Sequence, residues 1–294
     1  MVSGTTTIGA LTLTPASAQT VIFNGTSATA ITSVGAISQN GANALAVTQS
    51  GSGTTILSGN NTYTGATVIN AGVVEVSADA NLGSGNLTLG GELLTSANFT
   101  TSKTVTLSSN AAILAAANVT TAIYNGAIGG SDMLTVGDST NQDTVVLAGN
   151  NTYTGDTTIT SSTLAVGSLT ALSTGFVINN GMLEAFGSQH VIQVLTNYTQ
   201  GTGGPLLLNL NSNPVPGNTN DVLKVTGNAI LAQDFSQNGL PHADTTTGAG
   251  SVGVNYRITP HLCMGALFNY GHTDANLDTN GSTASADSYS PVFS

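Results

Sequence analysis

The sequence predicts an all-β protein, built mainly as a right-handed parallel β-helix and followed by a truncated piece of an antiparallel transmembrane β-barrel. The heptapeptide Gly-Asn-Asn-Thr-Tyr-Thr-Gly occurs at residues 59–65 and again at residues 149–155, an offset of 90 residues. Short runs of β-branched residues alternate with Gly, Asn and Ser turns around both copies, which is typical of stacked strands. After residue 250, two alternating runs of about nine residues predict a barrel hairpin.

Each copy of the heptapeptide has the same local pattern. In the first copy, β-branched residues enter a Gly-Asn-Asn turn, and a second run, Thr67–Ile69, leaves after Gly65. Gly and Asn tolerate the positive φ angles that tight turns require. A strand–turn–strand unit of this size cannot bury its own apolar face, so the repeated units are expected to stack on their neighbours.

The composition excludes several classes of function. Charged residues make up 6% of the chain, three of them are basic, and the net charge is −11. Without a basic patch, binding to nucleic acid or to an anionic membrane surface is not expected. Hydrophobic residues make up 40% of the chain, which favours a buried core over disorder. A single cysteine, Cys263, excludes an internal disulfide, and we predict that it packs as a small apolar residue.

Residues 1–232 are predicted to form the β-helix. A β-sandwich would space its strands similarly, but the 90-residue offset corresponds to about four coils of a little over 20 residues, which favours a solenoid. Val, Ile, Leu and Ala are predicted to point inward, and Thr, Ser and Asn to point outward. Asn side chains at the turns are predicted to stack between coils.

The repeat also predicts a register. If both copies stack on one axis, Tyr63 and Tyr153 point the same way and lie about four coils apart, on the order of 20 Å. A shift of one residue would turn inward side chains to solvent. Two aliphatic pairs are therefore predicted to share one interior stack: Leu57 with Leu147, and Ile69 with Ile159. A β-sandwich would instead place the two copies in different sheets.

The C-terminal part of the chain changes character. Residues 197–232 contain alternating Leu and Val and are predicted to cap the open end of the β-helix. Residues 233–250 are polar and are predicted to be a linker. Residues 251–294 contain two alternating runs around a Thr-Pro-His turn, as in a transmembrane barrel hairpin. Two or three strands cannot close a barrel in lipid, so this part is predicted to be a fragment.

The heptapeptide and its surroundings resemble the passenger-associated repeat of bacterial autotransporters. That family's core, Leu-x-Gly-x-Asn-Thr-Tyr-Thr-Gly, is matched at residues 57–65, and its following Leu-Gly-Ser-Gly turn is matched at residues 82–85. The Tyr-x-Gly-x-Ile-x-Gly segment that precedes a copy occurs at residues 124–130. Residues 197–232 resemble the cap of such passengers, and residues 256–274 resemble the opening of the autotransporter β-domain.

This resemblance implies a non-enzymatic fragment of an autotransporter passenger, with a structural or adhesive role. It implies export through an outer-membrane barrel of which this chain has only the first strands. The expected location is the outer membrane, the cell surface or the extracellular space of a Gram-negative bacterium. The N-terminal residues lack the regions of a signal peptide, so we expect the export signal to be missing here. The expected partners are the outer membrane, through a completed barrel, and an unidentified ligand on a host or neighbouring cell, but no nucleic acid.

No catalytic residue, cofactor site or metal site is predicted. The tripeptide at residues 137–139 resembles the nucleophile block of a lipase–esterase family, but no downstream Asp-x-x-His accompanies it, and a turn is favoured. Residues 276–287 imitate a calcium loop without its bidentate Glu or flanking helices. The four histidines lack metal-ligand spacing, and the acidic residues are dispersed. The alternative function is a β-helical lyase or hydrolase of extracellular glycans, which requires clustered carboxylates, a bound cation or basic residues.

Overall fold

The fold is described from a computed structural model of the chain. The described residues are 4–201 without 118 and 190, then 206–207, 222–231, 243–245, 251–259, 262–269, 273–277, 282–286 and 292–293. The described residues up to 231 form short strands and one 3₁₀ helix, η1 (Asp79–Leu82). Among the described residues, no helix is long and apolar enough to cross a membrane.

The strands up to residue 231 are two to five residues long. In chain order they are β1 (Thr5–Ile8), β2 (Leu11–Leu13), β3 (Gln19–Phe23), β4 (Ile31–Val34), β5 (Ile37–Gln39), β6 (Leu45–Gln49), β7 (Thr54–Leu57), β8 (Thr67–Ile69), β9 (Val73–Val76), β10 (Leu87–Leu89), β11 (Glu92–Thr95), β12 (Phe99–Thr101), β13 (Val105–Leu107), β14 (Ala112–Ala116), β15 (Thr121–Tyr124), β16 (Ile128–Gly129), β17 (Leu134–Val136), β18 (Thr144–Leu147), β19 (Thr157–Ile159), β20 (Thr163–Val166), β21 (Val177–Asn179), β22 (Met182–Ala185), β23 (Val191–Val194), β24 (Tyr198–Gln200), β25 (Leu206–Leu207), β26 (Val222–Val225) and β27 (Ala229–Leu231).

These strands form a parallel β-solenoid with three faces. Face 1 is an eleven-stranded sheet in the order β1-β4-β7-β9-β11-β14-β17-β19-β21-β24-β27. Face 2 contains the pair β2-β5 and the sheet β12-β15-β18-β20-β22-β25. Face 3 contains the sheet β3-β6-β8-β10-β13-β16 and the pair β23-β26. The chain passes through faces 1, 2 and 3 in turn, and we call one such circuit a coil.

The strand register fixes the length of a coil. Ile31 pairs with Thr54 and Thr54 pairs with Val73, which are steps of 23 and 19 residues. From β4 to β24 every coil on face 1 has between 19 and 23 residues. Inward residues of successive coils therefore stack, and the interior is filled mainly by Val, Ile, Leu and Ala, as predicted. Each fully buried Val, Ile or Leu side chain contributes about 1.5–3 kcal/mol through apolar burial.

The two copies of the heptapeptide lie on different faces, so the prediction that they share one interior stack is wrong. Leu57 ends β7 on face 1, whereas Leu147 ends β18 on face 2. Ile69 ends β8 on face 3, whereas Ile159 ends β19 on face 1. The 90-residue offset equals four coils, from β7 through β9, β11 and β14 to β17, plus the step to the next face. All four side chains are still buried, because a step of one whole face preserves the alternation of inward and outward residues.

The pairing also excludes the β-sandwich alternative for this part of the chain. Every pairing between β1 and β27 is parallel and joins strands of successive coils. Strands in the segment predicted as a cap continue this pattern, because β25 pairs with β22, β26 with β23 and β27 with β24. The cap itself and the right-handed sense of the coil stay predictions.

Beyond residue 242 the described pairing becomes antiparallel. The hairpin predicted around residues 259–261 is present, since β29 pairs with β30 from Ser251 to Asn269. One sheet has the order β28-β31-β32 and another has the order β29-β30-β33. The strands are β28 (Ala243–Thr245), β29 (Ser251–Thr259), β30 (Leu262–Asn269), β31 (Thr273–Leu277), β32 (Ser282–Ala286) and β33 (Val292–Phe293). A strand thus lies inside the segment predicted as a linker, and the truncated barrel stays a prediction.

Candidate functional site

Each heptapeptide takes the place of a strand on its face. Residues 59–65, the first repeat turn, cross face 2 between β7 and β8. Residues 149–155, the second repeat turn, cross face 3 between β18 and β19. The next coil has no strand at that place either: η1 lies above the first turn, and residues 167–176 lie above the second. Each copy therefore interrupts the strand ladder of one face over two coils, and other groups must satisfy the backbone there.

The second asparagine of each turn joins three successive coils. The Oδ1 atom of Asn61 accepts a hydrogen bond from the Ile37 N–H at 2.6 Å, and its Nδ2 donates to the carbonyl of Asn81. Asn151 accepts from the Ile128 N–H at 2.8 Å and donates to the Ala171 carbonyl at 2.7 Å. The N–H groups of Ile37 and Ile128 belong to the preceding coils. The carbonyl groups of Asn81 and Ala171 belong to the following coils. These side chains therefore supply the vertical hydrogen bonds that a strand would have made.

The tyrosine of each turn fills the interior where a strand is missing. Tyr63 and Tyr153 are 0% exposed. Their hydroxyls lie 2.6 Å from Thr67 Oγ1 and 2.7 Å from Thr157 Oγ1. Thr67 Oγ1 donates its proton to the Leu82 carbonyl, so Tyr63 is the donor in its pair. Burial raises the pKa of Tyr63, and it raises the pKa of Tyr153 to about 12, so both phenols are neutral.

Glycines let the coils around a repeat turn approach closely. A Cβ atom on Gly149 would lie 2.2 Å from the carbonyl oxygen of Gly126 in the coil below. Ile128 in that coil accepts a hydrogen bond from the Thr152 N–H at 2.8 Å. The Tyr-x-Gly-x-Ile-x-Gly segment singled out in the sequence is therefore the layer directly beneath the second turn.

The outward side of both turns is polar and uncharged. Asn60, Thr62 and Thr64 alternate with the inward Asn61 and Tyr63, and all three are exposed. The second turn exposes its equivalent residues in the same way: Asn150, Thr152 and Thr154.

Face 1 presents a long outward row of β-branched residues. One register position on each of its first ten strands forms this row, and a single member, Glu92, is ionisable. From the first strand to the tenth, the row consists of Thr5, Ile31, Thr54, Val73, Glu92, Ile113, Thr135, Thr158, Ile178 and Thr199. No Asp, Glu, Lys or Arg occurs before Glu75 in the sequence. This row is therefore repetitive and has one ionisable residue.

Glu92 forms a carboxyl pair with Asp138, which sequence analysis missed. Burial is the main cause that raises the pKa of Glu92 to about 8, and the hydrogen bond and negative charge of Asp138 act in the same direction. Burial opposes ionisation of Asp138, but hydrogen bonds from Asn141 and from the Thr140 N–H outweigh it and lower the pKa of Asp138. Near neutral pH the pair therefore carries one proton, on Glu92. Residues 92 and 138 lie in different coils, so no local pattern in the sequence signals the contact.

The tripeptide at residues 137–139 forms a turn, as predicted. Asp138 Oδ1 accepts hydrogen bonds from the N–H groups of Thr140 and Asn141, both at 2.5 Å. Asn141 Nδ2 donates to Asp138 Oδ2 at 2.8 Å. The aspartate thus organises its own loop.

One ion pair is present in the part of the chain that the structure describes. Lys103 Nζ lies 3.8 Å from Asp79 Oδ2 and donates to the Gly83 carbonyl at 2.7 Å. The lysine side chain is 10% exposed, and the aspartate side chain is 42% exposed. This lysine ties the turn above the first repeat to the next coil, which indicates a structural role.

A metal site has no support in the described residues, where no group of three or more His, Cys, Asp and Glu could hold an ion. All four histidines lie outside the described residues. The segment that imitates a calcium loop includes parts of β31 and β32, which pair antiparallel from Thr273 to Ala286. Its residues 278–281 and 287 lie outside the described part.

A parallel solenoid with two inserted repeat turns, followed by antiparallel strands, is the arrangement that the resemblance to autotransporters implies. A model of the passenger-associated-transport-repeat matches residues 47–76 and 140–166. A model of the autotransporter beta-domain matches residues 225–291. These matches confirm the family resemblance from both ends of the chain, and the second begins upstream of the boundary predicted at residue 251.

A curated relative agrees with these matches. The chain is 33% identical over 137 residues to the adhesin BmaC autotransporter of Brucella suis biovar 1 (strain 1330). The aligned part is 45% of this chain and 4% of the length of that relative. No solved structure matches the chain. Together the matches support an autotransporter with passenger repeats, and they imply a location at the outer membrane or cell surface of a Gram-negative bacterium.

Proposed function

We propose that this chain is a non-enzymatic part of an autotransporter adhesin, with a β-solenoid that presents an adhesive surface outside the cell. The observation that carries the proposal is the long outward row of face 1, with Glu92 as its one ionisable residue, on a solenoid with passenger repeats. Ten strands spaced by about 4.8 Å make this row on the order of 43 Å long. A rigid surface of this length can contact several copies of a ligand at once, and such multivalency strengthens weak contacts.

The second part of the proposal concerns export and anchoring. The antiparallel strands after residue 242 fall within the match to the autotransporter beta-domain. In a completed barrel these strands would connect the solenoid to the outer membrane. The partner on the opposing cell is a host or neighbouring-cell ligand whose identity is open.

Surface display on a non-adherent bacterium tests the adhesive role. The chain is fused to an intact autotransporter barrel, and attachment of the cells to cultured host cells and to one another is counted. We expect attachment above that of cells that display the barrel alone. Replacing Thr54, Thr135 and Thr158 in the row by Asp should reduce attachment without loss of display. Attachment that equals the barrel control would contradict the proposal.

A second candidate function, hydrolysis of an extracellular glycan, is favoured by the Glu92–Asp138 pair. A protonated acid beside an ionised carboxylate is the division of roles that glycoside hydrolysis uses. Direct contact between the two carboxyls argues against it, because retaining and inverting enzymes separate them by about 5 Å or more. Release of reducing ends from a panel of bacterial and plant glycans, abolished by Glu92→Gln, would establish the enzyme and displace the adhesin proposal.

A further inference from the structure

The two asparagines of each repeat turn do different things. Asn61 and Asn151 are 6% and 8% exposed, and both ends of their amides are bound to neighbouring coils. Asn60 and Asn150 point outward and are exposed. The family pattern quoted above leaves this position open, yet this chain has Asn there in both copies. The inner asparagine therefore has a structural role, whereas the fold does not require an asparagine at the outer position.

The outer asparagine begins an Asn-x-Thr triplet in both turns. Residues 60–62 and 150–152 both read Asn-Asn-Thr. Such a triplet is the acceptor pattern for asparagine-linked sugars when its middle residue is not proline. In an extended segment, residues i and i+2 lie on the same side, so the outer asparagine and the threonine share the outward side of each turn. The Thr62 hydroxyl also accepts a hydrogen bond from the Gln39 N–H at 3.0 Å. Thr62 and Thr152 are both exposed, in agreement with this geometry.

We propose that Asn60 and Asn150 are attachment sites for a neutral asparagine-linked sugar. The proposal goes beyond the adhesive role and does not depend on it. The same exposed Asn-Asn-Thr triplet occurs on two different faces of the solenoid, so sugars at these two sites would lie on faces 2 and 3.

The acceptor atoms are available for reaction. Within the described part of the chain, the Asn60 side chain makes no hydrogen bond. Asn150 Oδ1 accepts from Thr170 Oγ1 at 2.9 Å, which leaves the Nδ2 group unengaged. A sugar on either atom would extend away from the solenoid, next to exposed uncharged threonines. A sugar on the inner asparagine would break the bonds that hold three coils together.

The transfer requires an activated sugar and a separate transferase. The Nδ2 atom of the asparagine attacks C1 of a hexose that is activated as a nucleoside diphosphate or polyprenyl diphosphate. The bond from C1 to the phosphate oxygen breaks, the diphosphate leaves, and a base of the transferase takes one proton from the amide. The product is an N-glycosidic bond, with no oxidant or reductant involved.

Peptide mapping of the protein isolated from the surface of the bacterium that makes it tests the proposal. We expect peptides that cover residues 55–69 and 144–159 to carry at least one hexose each, located on Asn60 and Asn150 by fragmentation. Thr152→Ala is the informative variant, because the Thr152 hydroxyl has no hydrogen bond among the described residues and its loss should not disturb the fold. In that variant Asn150 should lose its sugar, while Asn60 in the same molecule keeps it.

The Thr152→Ser variant tests whether loss of the sugar in Thr152→Ala comes from the lost hydroxyl of the acceptor triplet or from a change in structure. It keeps the hydroxyl and should keep the sugar on Asn150. Unmodified Asn60 and Asn150 in the native protein would overturn the proposal. A sugar found on Asn61 or Asn151, or one that persists on Asn150 in Thr152→Ala, would overturn it as well.

Discussion

The two repeat turns have the same seven residues but lie on different faces, between different neighbours. Both use the inner asparagine to bind the coil below and the coil above, and both bury a tyrosine beside a threonine. The heptapeptide therefore carries its own vertical bonding and does not depend on the face in which it lies.

The coils above the two turns differ, and the difference shows what may vary. Gly83 follows η1 with φ 60° and ψ −159°, and a Cβ atom there would lie 2.5 Å from the Tyr63 ring. Ser173 occupies the equivalent place above Tyr153, donates to the Gly155 carbonyl at 2.7 Å and also hydrogen-bonds Tyr153. The first coil covers its tyrosine with the backbone of Gly83, and the second covers its tyrosine with the hydroxyl of Ser173. The residue at this place in the coil above can therefore differ between the two turns.

The largest expected effect comes from removing a buried tyrosine. Tyr63→Ala and Tyr153→Ala should each lower the free energy of unfolding by about 3–5 kcal/mol, because each leaves a cavity in the interior. Tyr→Phe at either place keeps the ring and should cost only about 1 kcal/mol for the lost hydrogen bond. Urea titration followed by circular dichroism measures both. If the Tyr→Ala variant at one turn lost less stability than the Tyr→Phe variant at the same turn, the two turns would not be equivalent.

Removing the inner asparagine should have the next largest effect. Asn61→Ala leaves the Ile37 N–H and the Asn81 carbonyl without partners, at about 1–3 kcal/mol for each buried group. Asn151→Ala should cost a similar amount at its own two partners. Hydrogen exchange should show the loss of protection at Ile37 and Ile128, respectively. Asn60→Ala is the matched control one residue away, and it should change stability by less than about 0.5 kcal/mol.

Much of the solenoid could be predicted from the sequence. Strand alternation depends on local residue types, so inward Leu57 and Ile69 followed directly from the period of two. The position of the second copy did not follow, because coils vary between 19 and 23 residues and the total over several coils decides which face a residue reaches. The offset between two copies of a repeat therefore gives the number of coils between them only to within a fraction of a coil.

The bonding at the repeat turns was only partly predictable. Stacking of turn asparagines between coils was expected, but Asn61 binds backbone groups and not another asparagine side chain. The Glu92–Asp138 contact joins residues 46 positions apart in coils that are not adjacent in sequence. Contacts of this kind depend on coil lengths and loop paths, which no local pattern specifies.

The residues above the two tyrosines can be exchanged between the two repeat turns. Gly83→Ser forces a side chain into a backbone conformation that essentially only glycine adopts, and against the Tyr63 ring, at about 1–3 kcal/mol. Ser173→Gly removes a hydroxyl from Tyr153 and should cost about 1 kcal/mol. Urea unfolding of both variants measures the difference. Equal costs would mean that Gly83 is not required by its backbone geometry.

The smallest expected effect is the dependence of stability on pH that arises from Glu92. The pKa of Glu92 is raised to about 8 in the folded protein from an ordinary value near 4.5, chiefly by burial, so folding takes up a proton between these values. The stability that Glu92 contributes is therefore complete below about pH 4.5 and is lost as pH rises through 8. Because the carboxyl is only partly buried and solvent screens it, the loss should be about 1–2 kcal/mol.

Two substitutions isolate this contribution. Glu92→Gln keeps the shape of the side chain and should flatten the part of the profile between pH 5 and 9, which urea midpoints measured at several pH values will show. Asp138→Asn removes the charged partner and should shift the fall in stability toward lower pH, because the pKa of Glu92 then loses one of its causes. A profile that is the same in the parent and in Glu92→Gln would mean that the carboxyl pair does not share a proton in solution. Neither repeat turn contains a carboxylate, so substitutions within residues 59–65 or 149–155 should leave the profile unchanged and separate the two kinds of contact between coils.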